Sequence, residues 1–197
     1  MGSQSIITAM EPFSREFDAL LPSDHLSVRP AKLRELPTLA RIARRAIPGV
    51  RLSGSKLKAF CVRDRDTVFS FSRSTHLVGG VAFLYLNSLG FDALILDEIN
   101  LAEPEVKFLA TANERPEAIY LWAISGAGLS ALGHITSRFA KERYRYADIY
   151  TRPVTPEGEL LMRRMGFEST SAWREGLWRY QRLTNRADRS PSMQNAA

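Results

Sequence analysis

At 197 residues the chain has the length of one ordinary domain, and with 45% hydrophobic and 24% charged residues it suits a globular protein rather than a disordered one. No uninterrupted apolar run approaches the roughly 18 to 20 residues that cross a bilayer, and the start MGSQSIITAM lacks both halves of an export signal, so a cytoplasmic protein with no membrane partner is expected. The formal charge of +6 would suit an anionic partner, but the basic residues are spread over several segments and Arg174, Arg179, Arg182, Arg186 and Arg189 run into a solvated tail, which makes nucleic-acid binding the minority reading.

Residues 1 to 24 read as a loosely attached arm, residues 25 to 183 as a single domain, and residues 184 to 197, which lack any apolar period, as a disordered tail. The core opens with a strand at LSVRP, residues 26 to 30, where Leu26 and Val28 alternate with polar neighbours. A helix follows: Leu36, Leu39, Ala40, Ala43 and Ile47 share one face, Arg41, Arg44 and Arg45 form a solvated opposite face, Pro37 suits the first turn and Pro48-Gly49 stops it. A second helix is expected around residues 54 to 61. It holds the single cysteine, Cys61, which can make no internal disulfide or cysteine zinc site and reads as a small buried hydrophobe; no metal is expected.

TVFSFS (67 to 72) and HLVGGVAFLYL (76 to 86) read as two strands, and AIYLWAI (118 to 124) as a third that is buried on both faces. A helix over 128 to 143 and a strand at YADIY (146 to 150) come next. TPEGELLMRRM then carries every mark of a helix: Thr155 as N-cap, Pro156 in the first turn, Glu157 and Glu159 at the positive end, Arg163 and Arg164 at the negative end, and Gly166 as a left-handed C-terminal cap. Two strands near 167 to 171 and 177 to 182 complete a central sheet covered by helices.

The segment WAISGAGLSALGHI, residues 122 to 135, carries the most chemistry. An apolar strand enters a turn containing Gly126 and Gly128, and a helix starts at once. Glycines let a backbone approach a ligand closely, and the free N–H groups of a first helical turn favour phosphate. The same two glycines would equally serve to relieve packing at a sharp turn.

AISGAGLSALGHI, then YADIY, then TPEGELLMRRMGFES resembles the two best-marked stretches of the GNAT N-acetyltransferase superfamily, strongly over residues 122 to 168 and by element order from 26 to 182. The resemblance implies an α/β fold with a central mixed, mostly antiparallel sheet flanked by helices. It also implies an acyl-CoA, by default acetyl-CoA, as co-substrate of an N-acyltransferase in which an amine attacks the thioester directly. On the same basis Gly126 and Gly128 match the small residues of the cofactor loop, and Ser125, Gly126, Ala127, Gly128, Leu129 and Ser130 would offer backbone amides to the pyrophosphate. Trp122, Ala123 and Ile124 would pair with the pantetheine arm, and Leu161, Met165, Gly166 and Phe167 match the closing motif.

Two departures stand out. The family's Gln or Arg falls at Ala123, and its tyrosine, which protonates the leaving thiolate, falls at Met162, whose thioether donates no proton. Tyr150, ending the strand before the site, is the nearest substitute acid by sequence, with packing as its alternative role; Ser125 and Thr151 are weaker choices. For the base, His25, His76 and His134 are the available histidines, and the residues do not choose among them. The departures keep open a second reading, a GNAT-like module that binds CoA or another ligand without turning it over.

About thirty residues separate the two central strands, which the family joins by a short hairpin. They contain LGFDALILDEI, expected as a helix, and EPEVKFLA, expected as another. From residue 88 to 117 the carboxylates Asp92, Asp97, Glu98, Glu103, Glu105, Glu114 and Glu117 stand against Lys107 and Arg115, a net of −5. The segment could form an acidic wall that attracts a cationic small-molecule or peptide amine, or serve as a solvated face or a homodimer contact.

Overall fold

The computed structural model describes residues 26–47, 49, 51–126, 131, 135, 139 and 142–182. The expected arm and tail lie outside them. Among the described residues no helix is long and apolar enough to cross a membrane, and no group of three or more His, Cys, Asp or Glu side chains could hold a metal ion.

In chain order the elements are β1 (Leu26–Pro30), α1 (Leu36–Ala46), α2 (Gly54–Arg63), β2 (Val68–Arg73), β3 (His76–Leu86), α3 (Ser88–Leu96), β4 (Ala118–Ser125), β5 (Asp148–Thr151), α4 (Pro156–Arg164), β6 (Glu168–Ser169) and β7 (Trp178–Tyr180). The strands form one seven-stranded sheet in the order β1-β2-β3-β4-β5-β7-β6. Every neighbouring pair is antiparallel except β4 and β5, which run parallel. The sheet is therefore mixed and mostly antiparallel, as expected. β2, β3 and β4 are buried along most of their length, because helices cover both faces and solvent reaches neither.

Two cores result. On the first face α1 contributes Leu36, Leu39, Ala40 and Ala43, α2 contributes Leu57, Phe60 and Cys61, and the segment between β3 and β4 adds Ala93, Leu94, Ile99, Phe108 and Leu109. On the second face Ala131, Ile135 and Phe139, which are helical and four residues apart, join Met162 and Phe167. Local chemistry starts the helices where it should: Ser53 Oγ accepts from Lys56 N at 3.1 Å, Asn87 Oδ1 from Gly90 N at 2.8 Å, and Thr155 Oγ1 from Gly158 N at 3.1 Å. Gly166, at φ +82°, follows α4 as the left-handed cap.

The connection between β3 and β4 is helical over α3 but only a single 3-10 turn over Val106–Phe108, where a second helix was expected. Its return to β4 is tied down by Arg143, whose guanidinium donates to Asp64 Oδ2 at 2.5 Å, to the Glu114 and Thr111 carbonyls at 2.8 and 2.7 Å, and to the Tyr144 hydroxyl at 2.7 Å. This fan lies near the start of β4, so the other end of the strand is left to form a site.

Candidate active site

β4 and β5 stay together for only three residues, pairing Ala118 with Asp148, Ile119 with Ile149 and Tyr120 with Tyr150. One more link follows, from Thr151 Oγ1 to the Leu121 carbonyl at 3.1 Å. Beyond it the chain after Thr151 turns away toward α4, while β4 continues to Ser125 with its other edge still on β3, as far as the Gly80–Ser125 pair. Among the described residues no strand covers residues 122 to 125 on the β5 side. Such a row of free backbone groups is a template for an extended chain or ligand.

The same stretch is distorted. The β3–β4 register passes from Ala82 opposite Ala123 to Phe83 opposite Leu121, so Trp122 is an extra residue in β4. A bulge of this kind bends the strand and re-aims its side chains. Tyr120, Trp122 and also Ala123 contribute to the first core, whereas Ile119, Leu121 and Ile124 lie on the second face. Strict alternation would have sent Ala123 to the opposite side.

Trp122 is held on both ends of its indole: the ring stands edge-on to Phe60 with centroids 5.5 Å apart, and Nε1 donates to the Leu101 carbonyl at 2.7 Å. Ala123 and Ser125 line a small apolar groove under α1 and α2. Its floor is made of small residues, Gly80, Ala82 and Ala123, and its walls include Leu39, Leu52 and Leu57.

Gly126 ends the strand at φ +79°, and an added Cβ would lie 2.4 Å from the Val78 carbonyl oxygen. Gly79 is constrained in return, since its Cβ would meet the Ser125 carbonyl oxygen at 2.3 Å. Glycine at 126 is thus required by chain packing before any ligand is considered. Ala127, Gly128, Leu129 and Ser130 lie outside the described residues, as do His25 and His134; helical backbone is described again at Ala131.

Tyr150 and Met162 stand on opposite faces. Tyr150 is buried in the first core, with its ring 5.6 Å from Phe91 of α3, and Met162 is buried in the second with Phe167 and Trp178. The gap between β4 and β5 is where a ligand could have both faces as neighbours. Tyr120, alongside Tyr150 in register, has its phenol pushed well up by burial, an effect that Arg152 opposes. His76 is exposed at the β2–β3 hairpin, two strands from the gap. Asp148 is buried at the far end of β5, where it accepts from Arg182 N at 3.1 Å. The Cys61 thiol is pushed up to about 11 by burial, which removes it as a nucleophile at neutral pH.

The segment between β3 and β4 packs on the first face next to the gap, as its apolar residues foretell; of its seven carboxylates Asp97, Glu103 and Glu105 are ion-paired, while Asp92, Glu98 and Glu117 are exposed. Asp97, in left-handed conformation at the end of α3, ion-pairs with Arg152 and Arg174, each at 2.6 Å. Glu103 pairs with Lys56 at 3.1 Å and Glu105 with Lys107 at 3.1 Å. The sequence offers no sign of the Asp97 pairs, because their members come from three separate segments.

No family model matches the chain, and neither does any curated protein sequence. Among solved structures, the loading GNATL domain of CurA from Lyngbya majuscula matches with a TM-score of 0.54 at 11% identity, over 80% of this chain and 98% of that one. Ard1 from Thermoplasma volcanium matches at 0.49 and 10% identity, over 78% and 94%. The diaminobutyrate acetyltransferase EctA from Paenibacillus lautus, in complex with its substrate L-2,4-diaminobutyric acid and coenzyme A, matches at 0.46 and 14%, over 80% and 95%. With the strand order and the parallel β4–β5 pair above, the CurA match identifies the fold as GNAT-like.

Proposed function

We propose that this chain is an acyl-CoA-dependent N-acyltransferase whose cofactor arm lies along the open edge of β4. The observation that carries this reading is the gap itself: a parallel strand pair that separates after three residues, next to a bulge and a glycine turn leading into a helix. The edge from 122 to 125 fits an extended amide-bearing arm, which would pair with it as another strand does. Gly126 leaves no side chain in the way of a phosphate group beyond the strand end.

Bound there, an acyl-CoA supplies an activated thioester carbonyl. The part played by the chain is to orient that carbonyl against fixed backbone N–H groups at the bulge, which need no reorganisation to stabilise developing negative charge. Tyr150, buried beside the gap, is the proton donor in this reading, with water as the alternative; the base is a group or water reached from the first face. The acceptor would enter over the first face, past Trp122 and the groove under α1 and α2.

A second reading, ligand binding without turnover, is favoured by two observations. Met162, which the family resemblance sets at the tyrosine's position, is buried in an apolar core, and the indole N–H of Trp122 is engaged by the Leu101 carbonyl. The test is a thermal melt with and without CoA and acetyl-CoA, followed by thiol release over a panel of amines. Saturation to about a hundred times Kd should stabilise by about 2.7 kcal/mol, or roughly 5 to 10 °C for a chain of this size. Stabilisation with thiol release supports the enzyme, stabilisation without it supports the second reading, and no stabilisation refutes both.

A further inference from the structure

The helices that roof the first face carry on their outer side a charge that the order of the sequence conceals. α1 and α2 bury their apolar stripes in one core, and Gly54 comes so near Pro37 that an added Cβ would lie 3.1 Å from its Cα. Two helices packed side by side on one sheet face must turn their opposite stripes outward together. Exposed along the two helices and their flanks are Arg34, Arg41, Arg44 and Arg45 of α1 and its lead-in, Arg51 in the connection, and Lys58 and Arg65 of α2 and its exit.

Residues 32 to 65 hold ten Lys and Arg against two carboxylates, Glu35 and Asp64, a net of +8 where the whole chain has +6; of the ten, Lys56 is paired with Glu103 from outside the span and Arg63 is held by the Leu109 carbonyl. Both carboxylates are engaged: Glu35 accepts from Arg29, and Asp64, buried, from Arg143. An ordinary solvated face mixes its signs, whereas here Arg41, Arg44 and Arg45 stand at i, i+3 and i+4 with no exposed carboxylate in the span, an arrangement that costs helix stability.

We propose that this face docks double-stranded nucleic acid through its phosphate backbone. Arginine-rich helical surfaces suit phosphate oxygens, which accept from the guanidinium fork. The only aromatic residue of the span, Phe60, is fully buried. The face therefore has no platform on which unpaired bases could stack and no aromatic anchor of the kind that dominates protein interfaces. Backbone contacts to a duplex require neither. The inference is independent of acyl transfer and adds to it a surface that would hold a nucleic-acid partner beside the groove.

The test uses the full chain and fluorescence anisotropy with labelled DNA and RNA duplexes of about two helical turns. With about four phosphates contacted, the log–log salt slope should be about −3.6, a loss on the order of a hundredfold between 50 and 200 mM salt. Arg41→Gln, Arg44→Gln and Arg45→Gln combined should weaken binding at least tenfold and flatten the slope. A charge-matched control, Lys107→Gln with Arg163→Gln and Arg164→Gln on other exposed surfaces, should stay within about twofold of the parent; thermal melts verify both folds. If the α1 variant does not fold, Arg51→Gln with Lys58→Gln repeats the test outside that helix. The proposal is overturned if neither duplex binds at 50 mM salt, if the control loses as much as the face variant, or if phosphatidylserine vesicles bind the protein while duplexes do not.

Discussion

Gly126→Ala separates what the glycine does for the chain from what it does for a ligand. Two terms oppose the added methyl. At φ +79° a residue with a Cβ costs about 1 to 2 kcal/mol. The contact term is larger in prospect, because Cβ would stand 2.4 Å from the Val78 carbonyl oxygen and 3.0 Å from Gly79 Cα. Those are backbone atoms of β3; Gly79 is paired with Phe71 of β2 and cannot swing aside, whereas Val78 is the residue the β2–β3 register skips. Forcing the strand ends apart should cost a further ~1 to 3 kcal/mol. The sum, about 2 to 5 kcal/mol, lowers Tm by roughly 4 to 20 °C at ~2 to 4 °C per kcal/mol. Gly79→Ala, which is not at positive φ, should show the contact term alone from the other strand, about 1 to 3 kcal/mol. Gly176→Ala, at φ +69° with open space around it, should show the conformational term alone. Differential scanning fluorimetry of the three variants decides the matter. If Gly126→Ala melts no lower than Gly176→Ala, the contact term is wrong and the close approach of β3 and β4 is not what fixes this residue. Loss of CoA stabilisation beyond that of Gly79→Ala would then report a ligand role separately from the packing role.

Glu35 accepts from both terminal nitrogens of Arg29, at 2.5 and 2.9 Å, and from Lys32 N at 2.9 Å, which holds its carboxyl down at about 2. Because the folded value lies below the unfolded one, near 4.3, the stabilisation is full above about pH 4.5 and lost as pH falls toward 2. Arg29 is about one-third exposed, so the stability gap between the parent and Glu35→Gln should be about 1 kcal/mol at pH 6. Urea denaturation should show it shrinking by pH 3, and a gap unchanged at pH 2.5 would discard the assignment. Asp97→Asn keeps a side chain that tolerates the left-handed conformation and removes only the charge shared by Arg152 and Arg174. With Asp97 half exposed, it should cost about 0.5 to 1.5 kcal/mol, less in high salt, and a loss that salt does not reduce would contradict an electrostatic clamp.

Elements whose signals are local could be read from the chain. Thr155, Pro156 and Gly166 bracket α4 because caps depend on residues within one turn, and the apolar runs of β3 and β4 give their own positions. The bulge at Trp122 could not be read, since it exists only as a mismatch of register with Phe83 and Ala82 on another strand. EPEVKFLA was expected as a helix; it makes one 3-10 turn and then gives Leu109 to a bridge with Leu86, a tertiary pairing that outweighs local propensity. Of the site, the strand and Gly126 were legible. The aromatic cover of Tyr150 and the hold on Trp122 were not, because Phe91 and Leu101 come from the segment between β3 and β4.

Both charged segments have to be judged by the partners that folding supplies. Counting along the sequence marks residues 88 to 117 as the charged surface of interest and treats the arginines of α1 as solvated; the docking proposal weighs the two segments the other way. Asp97, Glu103 and Glu105 acquire cations, so the field that segment could project at an amine is reduced by its own partners. Of the basic residues, Arg41, Arg44, Arg45, Arg51 and Lys58 stay exposed along α1, α2 and their connection, and the two carboxylates among them are engaged by Arg29 and Arg143. Net charge of a segment therefore says little about the field outside it until the partner of each charge is known. Asp97, held between Arg152 and Arg174, is the carboxylate of that segment whose charge is most directly opposed.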